Sequence, residues 1–264
     1  MFAYYVSQDR ADINCLVPLL EALRRDFRAL PKRVCADAGY GSLANYRYLD
    51  RNGIGNYVKS QSWEGNVSGR YPDLYRFDGA KDTITCLGGK EGREVSLDQR
   101  HPKKAGAAFF RVDGCNGRPF MPFCKKCMKD QGEDFKIFEV AKEGQRYKQQ
   151  AEENLLSPKG IEMRVNRSIQ VEGVFGMLKR NYGRPRLNRR GLERVSMETM
   201  LNFLGMNIAR LFRFYETGKL CRFWVAPDDL PPQEFRKPSA KKLAKRGRKV
   251  NKNMLDGAKR GQQA

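Results

Sequence analysis

The sequence predicts an α/β protein, on three observations. Helical spacing of apolar side chains appears near both ends of the first 218 residues. Two short apolar runs bounded by turn residues come after the first helix. A middle stretch holds several strand-like pieces rich in turns. At 264 residues the chain is long enough for one large domain, or for one domain with an insertion and a tail.

Taken in order, residues 11–29 carry Ile13, Leu16, Val17, Leu19, Leu20, Leu23 and Phe27 at mostly helical spacing. Pro18 fits only near the first turn of that helix, and Pro31 closes the segment. Asp9 and Asp12 precede the helix and are expected to cap it. Val34 to Ala36 read as a short buried strand, with Asp37 where the strand gives way to a glycine-containing turn. Ser42 is placed to cap the helix LANYRYLDRN, which stops at Gly53, and IGNYVKS reads as a second strand.

From about residue 61 to 146 apolar runs shorten, and DTITCL, AAFFRV and FKIFEV predict a small β-rich insertion. Helical periodicity returns near 147, with helices expected over about 161–181 and 196–217. The second has Met197, Met200, Leu201, Leu204, Ile208, Leu211, Phe212 and Tyr215 on one stripe, which reads as a core-packing face. Beyond 219, APDDLPP resembles a linker. Residues 236–264 hold eleven Lys or Arg against one Asp, the composition of a disordered basic tail. It either adds affinity for phosphates or is simply solvated.

Lys and Arg outnumber Asp and Glu by 51 to 30, a formal charge of +21. Such a field draws in polyanions, and DNA or RNA is the default partner because counterion release drives the binding. The plainer alternative is a basic protein with no specific partner. No run of about 18 apolar residues occurs, so no membrane partner is expected. MFAYYVSQDR lacks the pattern of a signal peptide. Seven scattered cysteines argue against a secreted disulfide scaffold and for the cytoplasm. The single histidine, His101, lies in DQRHPKK and reads as a solvated loop residue.

Three constellations carry chemistry. Asp37, in ADAGYGS, stands at a strand end beside a flexible turn, where a carboxylate can hold a hard cation. Asp before Gly is also common in ordinary turns. Glu172, in RSIQVEGVFGMLKRNYG, shares a helix face with Ser168, Gly176 and Lys179, while Val171, Val174, Met177 and Leu178 are expected toward a core. A surface Glu and Lys would look the same. The stretch 179–194 is dense in cations: Lys179, Arg180, Arg184, Arg186, Arg189, Arg190 and Arg194 against Glu193 alone. The third group is Cys124 and Cys127 in a C-x-x-C pair, with Cys115 and Cys86 upstream. Either these four hold a tetrahedral Zn²⁺ or they are reduced, partly buried thiols. Cys15, Cys35 and Cys221 read as core.

ADAGYGSLANYRYL resembles the second-aspartate motif of DDE-type insertion-sequence transposases. RSIQVEGVFGMLKRNYGRPRLNRRGLERV resembles their glutamate motif, with a Lys seven residues after the Glu. VSQDRADINCLVPLLEAL is similar to the segment between their first and second catalytic aspartates. Together these cover about half the chain, in the family's order. The resemblance implies an RNase H-like mixed sheet flanked by helices. On it, residues 1–60 are the N-terminal part of that core and 61–146 an insertion. Residues 147–218 are the helical part carrying the Glu motif, and 219–264 a linker and basic tail.

It also implies that Asp37 and Glu172 are catalytic and hold two Mg²⁺ ions about 3.5–4 Å apart for cleavage and strand transfer of DNA. Lys179, Arg167, Arg180, Arg184, Arg186, Arg189 and Arg190 would contact DNA, at transposon ends and target. The implied setting is a bacterial, nucleoid-associated protein able to form a homodimer with full-length transposase. Two departures stand out. Ser168 holds the place where the family usually has Arg, so Arg167 lies five residues before the Glu rather than four. Only MFAYY precedes VSQDR, so the strand bearing the first catalytic Asp is expected to be missing and the chain inactive alone. Two further functions stay open: a non-catalytic nucleic-acid-binding remnant, and a zinc-stabilised interaction module.

Overall fold

The computed structural model describes residues 3–70, 72–97, 103, 106–116, 124, 134–181 and 187–218. It is a mixed α/β structure in two compact units. Among the described residues, one comprises 3–61 and 150–218 and the other 62–149.

The first unit begins with a 3-10 turn, Asp12–Asn14, and helix α1, Leu16–Phe27. The initiating positions are Ala11 and Cys15, and neither contributes a side-chain cap. The capping expected of Asp9 and Asp12 is therefore corrected. The tight turn itself satisfies an early donor, with the Cys15 N–H reaching the Asp12 carbonyl at 2.9 Å. Pro18 falls in the first turn of α1, where its missing N–H costs nothing.

Strand β1, Arg33–Ala36, pairs in parallel with β2, Gly55–Val58, in the register Arg33↔Gly55 to Ala36↔Val58. Helix α2, Leu43–Arg51, makes the crossover between them. Ser42 caps it, its Oγ accepting from the Asn45 N–H at 3.2 Å. Leu16, Leu20, Tyr46, Leu49, Val58, Leu155 and Ile161 are among the buried residues of this unit.

The second unit starts with helix α3, Trp63–Ser68. Then comes an antiparallel sheet in simple up-and-down order: β3 Tyr75–Asp78, β4 Thr83–Cys86, β5 Glu91–Val95, β6 Ala107–Asp113 and β7 Phe135–Ala141. Its core is Phe77, Ile84, Phe110, Val112, Phe138 and Val140. Alternate residues of β7 are buried and half-buried, as a one-sided sheet requires. DTITCL, AAFFRV and FKIFEV become β4, β6 and β7, while β3 and β5 were not among the predicted strands.

Helix α4, Lys142–Leu156, starts five residues earlier than the periodicity placed it. Helix α5, Pro158–Gly176, is capped by Ser157 and passes into a π-helical turn, Met177–Asn181. Helix α6 runs from Leu192 to Thr217. Two expectations fail on these helices. Val171 is exposed on α5 rather than facing a core. All eight apolar residues of the α6 stripe are exposed too, and Met206 is the one buried residue of that helix.

Candidate functional site

Parallel pairing sends the C-terminal ends of β1 and β2 to one edge, and the next residue of each chain segment has an acidic or basic side chain. Asp37 comes directly after β1 and Lys59 directly after β2. The Lys59 N–H donates to the Ala36 carbonyl at 3.1 Å, extending the ladder one step. The Lys59 ammonium lies 3.4 Å from Asp37 Oδ1. Asp37 then opens a 3-10 turn, Ala38–Tyr40, whose Tyr40 N–H returns to the Asp37 carbonyl at 3.1 Å. Gly41 ends the turn pressed against β2. A Cβ there would stand 2.5 Å from the Lys59 carbonyl, so this position admits only glycine without movement.

Helix α5 closes the site. Arg167 donates from its guanidinium to Asp37 Oδ1 at 3.0 Å, joining residues 130 apart in the sequence. Asp37 is about half exposed and its two cations are mostly covered, so the carboxylate opens outward from a basic floor. The arrangement resembles a general feature of parallel sheets, whose binding crevices lie outside the carboxyl ends of the strands.

Neighbouring groups respond to these charges. Burial pushes the Cys35 thiol up, against the pull of Arg167, Arg164 and Lys59. Burial likewise raises the Tyr40 phenol, with Asp12, Cys15 and Asp37 adding to the rise. Asn45 ties the rim together, its Nδ2 donating to the Ile13 and Tyr40 carbonyls at 2.8 Å each. Asp12 stands beside the turn, with Cβ and Oδ2 4.0 Å from where a Cβ on Gly39 would lie.

Glu172 sits five residues beyond Arg167 on α5, about 7.5 Å further along the axis and about 140° around it. It is exposed, and its carboxylate accepts from the Ser168 hydroxyl at 2.9 Å. Asp37 thus meets Arg167, and Glu172 meets Ser168. Lys179 and Arg180 are exposed on the π-helical turn, which moves Lys179 off the strict seven-residue alignment with Glu172.

Arg189 and Arg190 are also exposed, on a segment held by α6. The Asn188 and Arg189 N–H groups both donate to the Glu198 carboxylate, at 3.0–3.1 Å. Arg184 and Arg186 lie outside the described residues. Two participants escaped the sequence reading. Lys59 is recognisable only once β1 and β2 are aligned in parallel, and Tyr40 only once its turn folds back beside Asp37.

The donor set does not fit a divalent ion as it stands. Among the described residues no three His, Cys, Asp or Glu side chains gather where a metal could bind. The carboxylate of Asp37 already faces two cations. The cysteines of the second unit are similarly separate. Cys86 Sγ accepts from the Lys90 N–H at 3.4 Å, and the Cys115 thiol donates to the Val112 carbonyl at 3.4 Å. The Cys124 carbonyl accepts from the Lys136 ammonium. Cys127 lies outside the described residues, as do Cys221 and His101.

Comparison with known families matches residues 85–212 to a family described as a transposase DDE domain. The match runs from the end of β4 through β5 to β7, α4, α5 and most of α6, with Glu172 inside it and Asp37 upstream of it. No curated protein and no solved structure matches the chain. Among the described residues no helix is long and apolar enough to cross a membrane.

Proposed function

We infer, from a chain whose residues 85–212 match a transposase DDE domain family, a DNA-binding part of an insertion-sequence transposase, built on an RNase H-like core with an inserted β-sheet. One observation carries this reading. The two motifs that resemble the family's acidic motifs are 130 residues apart, yet they are joined by the Arg167–Asp37 hydrogen bond at the strand ends. In this reading Asp37 and Glu172 are the second and third acidic residues of the family's site, where divalent metal ions supply the chemistry of phosphodiester cleavage. Mg²⁺ is the expected ion because it prefers oxygen ligands.

The residues' own part is to bind and orient. Arg189 and Arg190 project from a segment fixed to Glu198 and meet the phosphate backbone, with Lys179 and Arg180 on the π-helical turn beside them. Arg184 and Arg186, in the same basic run, are assigned the same role. Arg167 and Lys59 hold Asp37 and present cations to any phosphate that enters.

Among the described residues no cation site is assembled, and we expect the chain to bind DNA without cutting it. Purified protein with Mg²⁺ should leave supercoiled plasmid intact. Metal-dependent nicking that disappears in Asp37→Ala would overturn that expectation and restore catalysis to this chain. DNA affinity should fall steeply with salt, and Arg189→Ala with Arg190→Ala should reduce the log–log slope by about one per lost phosphate contact. A salt-independent affinity would remove the DNA reading.

A zinc site of Cys86, Cys115, Cys124 and Cys127 is proposed beside the alternative of reduced, partly buried thiols, which the packing of Cys86 and Cys115 against one hydrophobic core favours. Metal analysis of the purified protein decides this, and a zinc-free protein ends it.

A further inference from the structure

Helix α6 is built inside out. Met206 is buried, and Phe203 packs edge-on against Tyr4 with ring centroids 5.9 Å apart. The other half-buried positions include Ser196, Thr199, Asn202 and Asn207. The opposite side carries Met197, Met200, Leu201, Leu204, Ile208, Leu211, Phe212 and Tyr215, each 44–75 % exposed. The inner side mixes these polar residues with Val195, Phe203 and Met206, while a continuous apolar face is turned out, and so much exposed apolar surface marks an interaction site.

The spacing identifies the occupant. Met197, Leu201, Leu204, Ile208, Leu211 and Tyr215 are separated by four, three, four, three and four residues, the seam of a coiled coil over nearly three heptads. The seam is as narrow as one helix. It is also symmetric about position 206: Met197 mirrors Tyr215, Met200 mirrors Phe212, Leu201 mirrors Leu211 and Leu204 mirrors Ile208. A two-fold interface requires a patch complementary to itself, and this one is so when two copies run antiparallel.

That direction opposes the two helix dipoles. With about half of each side chain outside, the eight residues offer on the order of 800 Å² per copy, the amount one partner buries in a standard interface. Gly205 fits the same picture. It lies in mid-helix, where glycine is unfavourable, yet a Cβ there would touch nothing among the described residues, as expected if a neighbouring helix passes close by.

We propose that α6 is a self-association helix through which two copies of this chain pair antiparallel along the Met197–Tyr215 seam. The inference does not rest on the DNA chemistry. It is tested by sedimentation of the full chain, free of nucleic acid, at ~10 µM. The wild type should be a dimer. Leu204→Glu with Ile208→Glu should be a monomer with an unchanged circular dichroism spectrum, its association weakened at least ~10-fold.

If that variant fails to fold, cysteine cross-linking decides. Differently tagged Leu201→Cys and Leu211→Cys chains should cross-link to each other when mixed, and neither should cross-link to itself. A monomeric wild type, a dimer indifferent to the two glutamates, or self-cross-linking of Leu201→Cys would each overturn the proposal. A monomeric wild type that still binds DNA would do so while leaving the DNA reading intact.

Discussion

The five-stranded sheet and helix α6 are both amphipathic, and they handle it in opposite ways. The sheet encloses its apolar residues within its own unit, so that Ile84, Phe110, Val112 and Val140 are fully buried. Helix α6 encloses Met206 and leaves the eight large apolar side chains of its stripe outside. Periodicity therefore reports that an element has two faces, and says nothing about which molecule covers the greasy one. A stripe read as core in one chain can be half of an interface that needs two.

The largest expected effect separates these regions directly. Phe110→Ala should destabilise the second unit by ~3–5 kcal/mol in chemical denaturation, because it empties a fully enclosed site. Phe212→Ala, on the exposed stripe, should change stability by no more than ~0.5 kcal/mol when the chain is too dilute to associate. Equal losses at the two positions would mean that α6 is covered within its own chain.

Two glycines extend the contrast. A Cβ on Gly92 would stand 2.5 Å from Val112 Cγ2 and 2.9 Å from Ile84 Cγ1, so Gly92→Ala should cost ~1–3 kcal/mol through overpacking of the sheet. Gly205→Ala meets nothing among the described residues and should stabilise the dilute chain by ~0.5–1 kcal/mol. The thermal midpoints of the two variants should move in opposite directions.

A smaller loss, ~1 kcal/mol, is expected for Ser42→Ala, which removes the cap of α2 from the first unit. Denaturation should show it there and leave the sheet unchanged. The smallest effect is alkaline. Burial and the hydrogen bond to Glu21 push the Tyr48 phenol up to about 12. Because the folded protein holds this proton more tightly than the unfolded chain, the contribution is full below about pH 10 and fades as pH rises through 12. Tyr48→Phe should flatten that part of the stability profile.

Legibility tracked the same divide between local pattern and long-range partner. β1, β2, β4, β6 and β7 were readable because each holds a short apolar run between turn residues. β3 and β5 were not: YRFD buries only Phe77, and EGREV buries only Gly92, which has no side chain to advertise a core. Ser42 was readable as a cap because the hydrogen bond spans three residues. Asp37 and Glu172 stood out by their surroundings in sequence. The grip of Lys59 and Arg167 on Asp37 did not, since it depends on a strand register and on a helix 130 residues away. The outward face of α6 was beyond reach for the same reason: a stripe of Leu and Met is identical on paper whether it meets a sheet or water.

The clasp on Asp37 has a consequence for the order of events at the strand ends. A phosphate oxygen and the Asp37 carboxylate compete for the same guanidinium of Arg167. An incoming polyanion that wins this contest leaves the acid with Lys59 alone. Without one, the acid stays latched between its two cations.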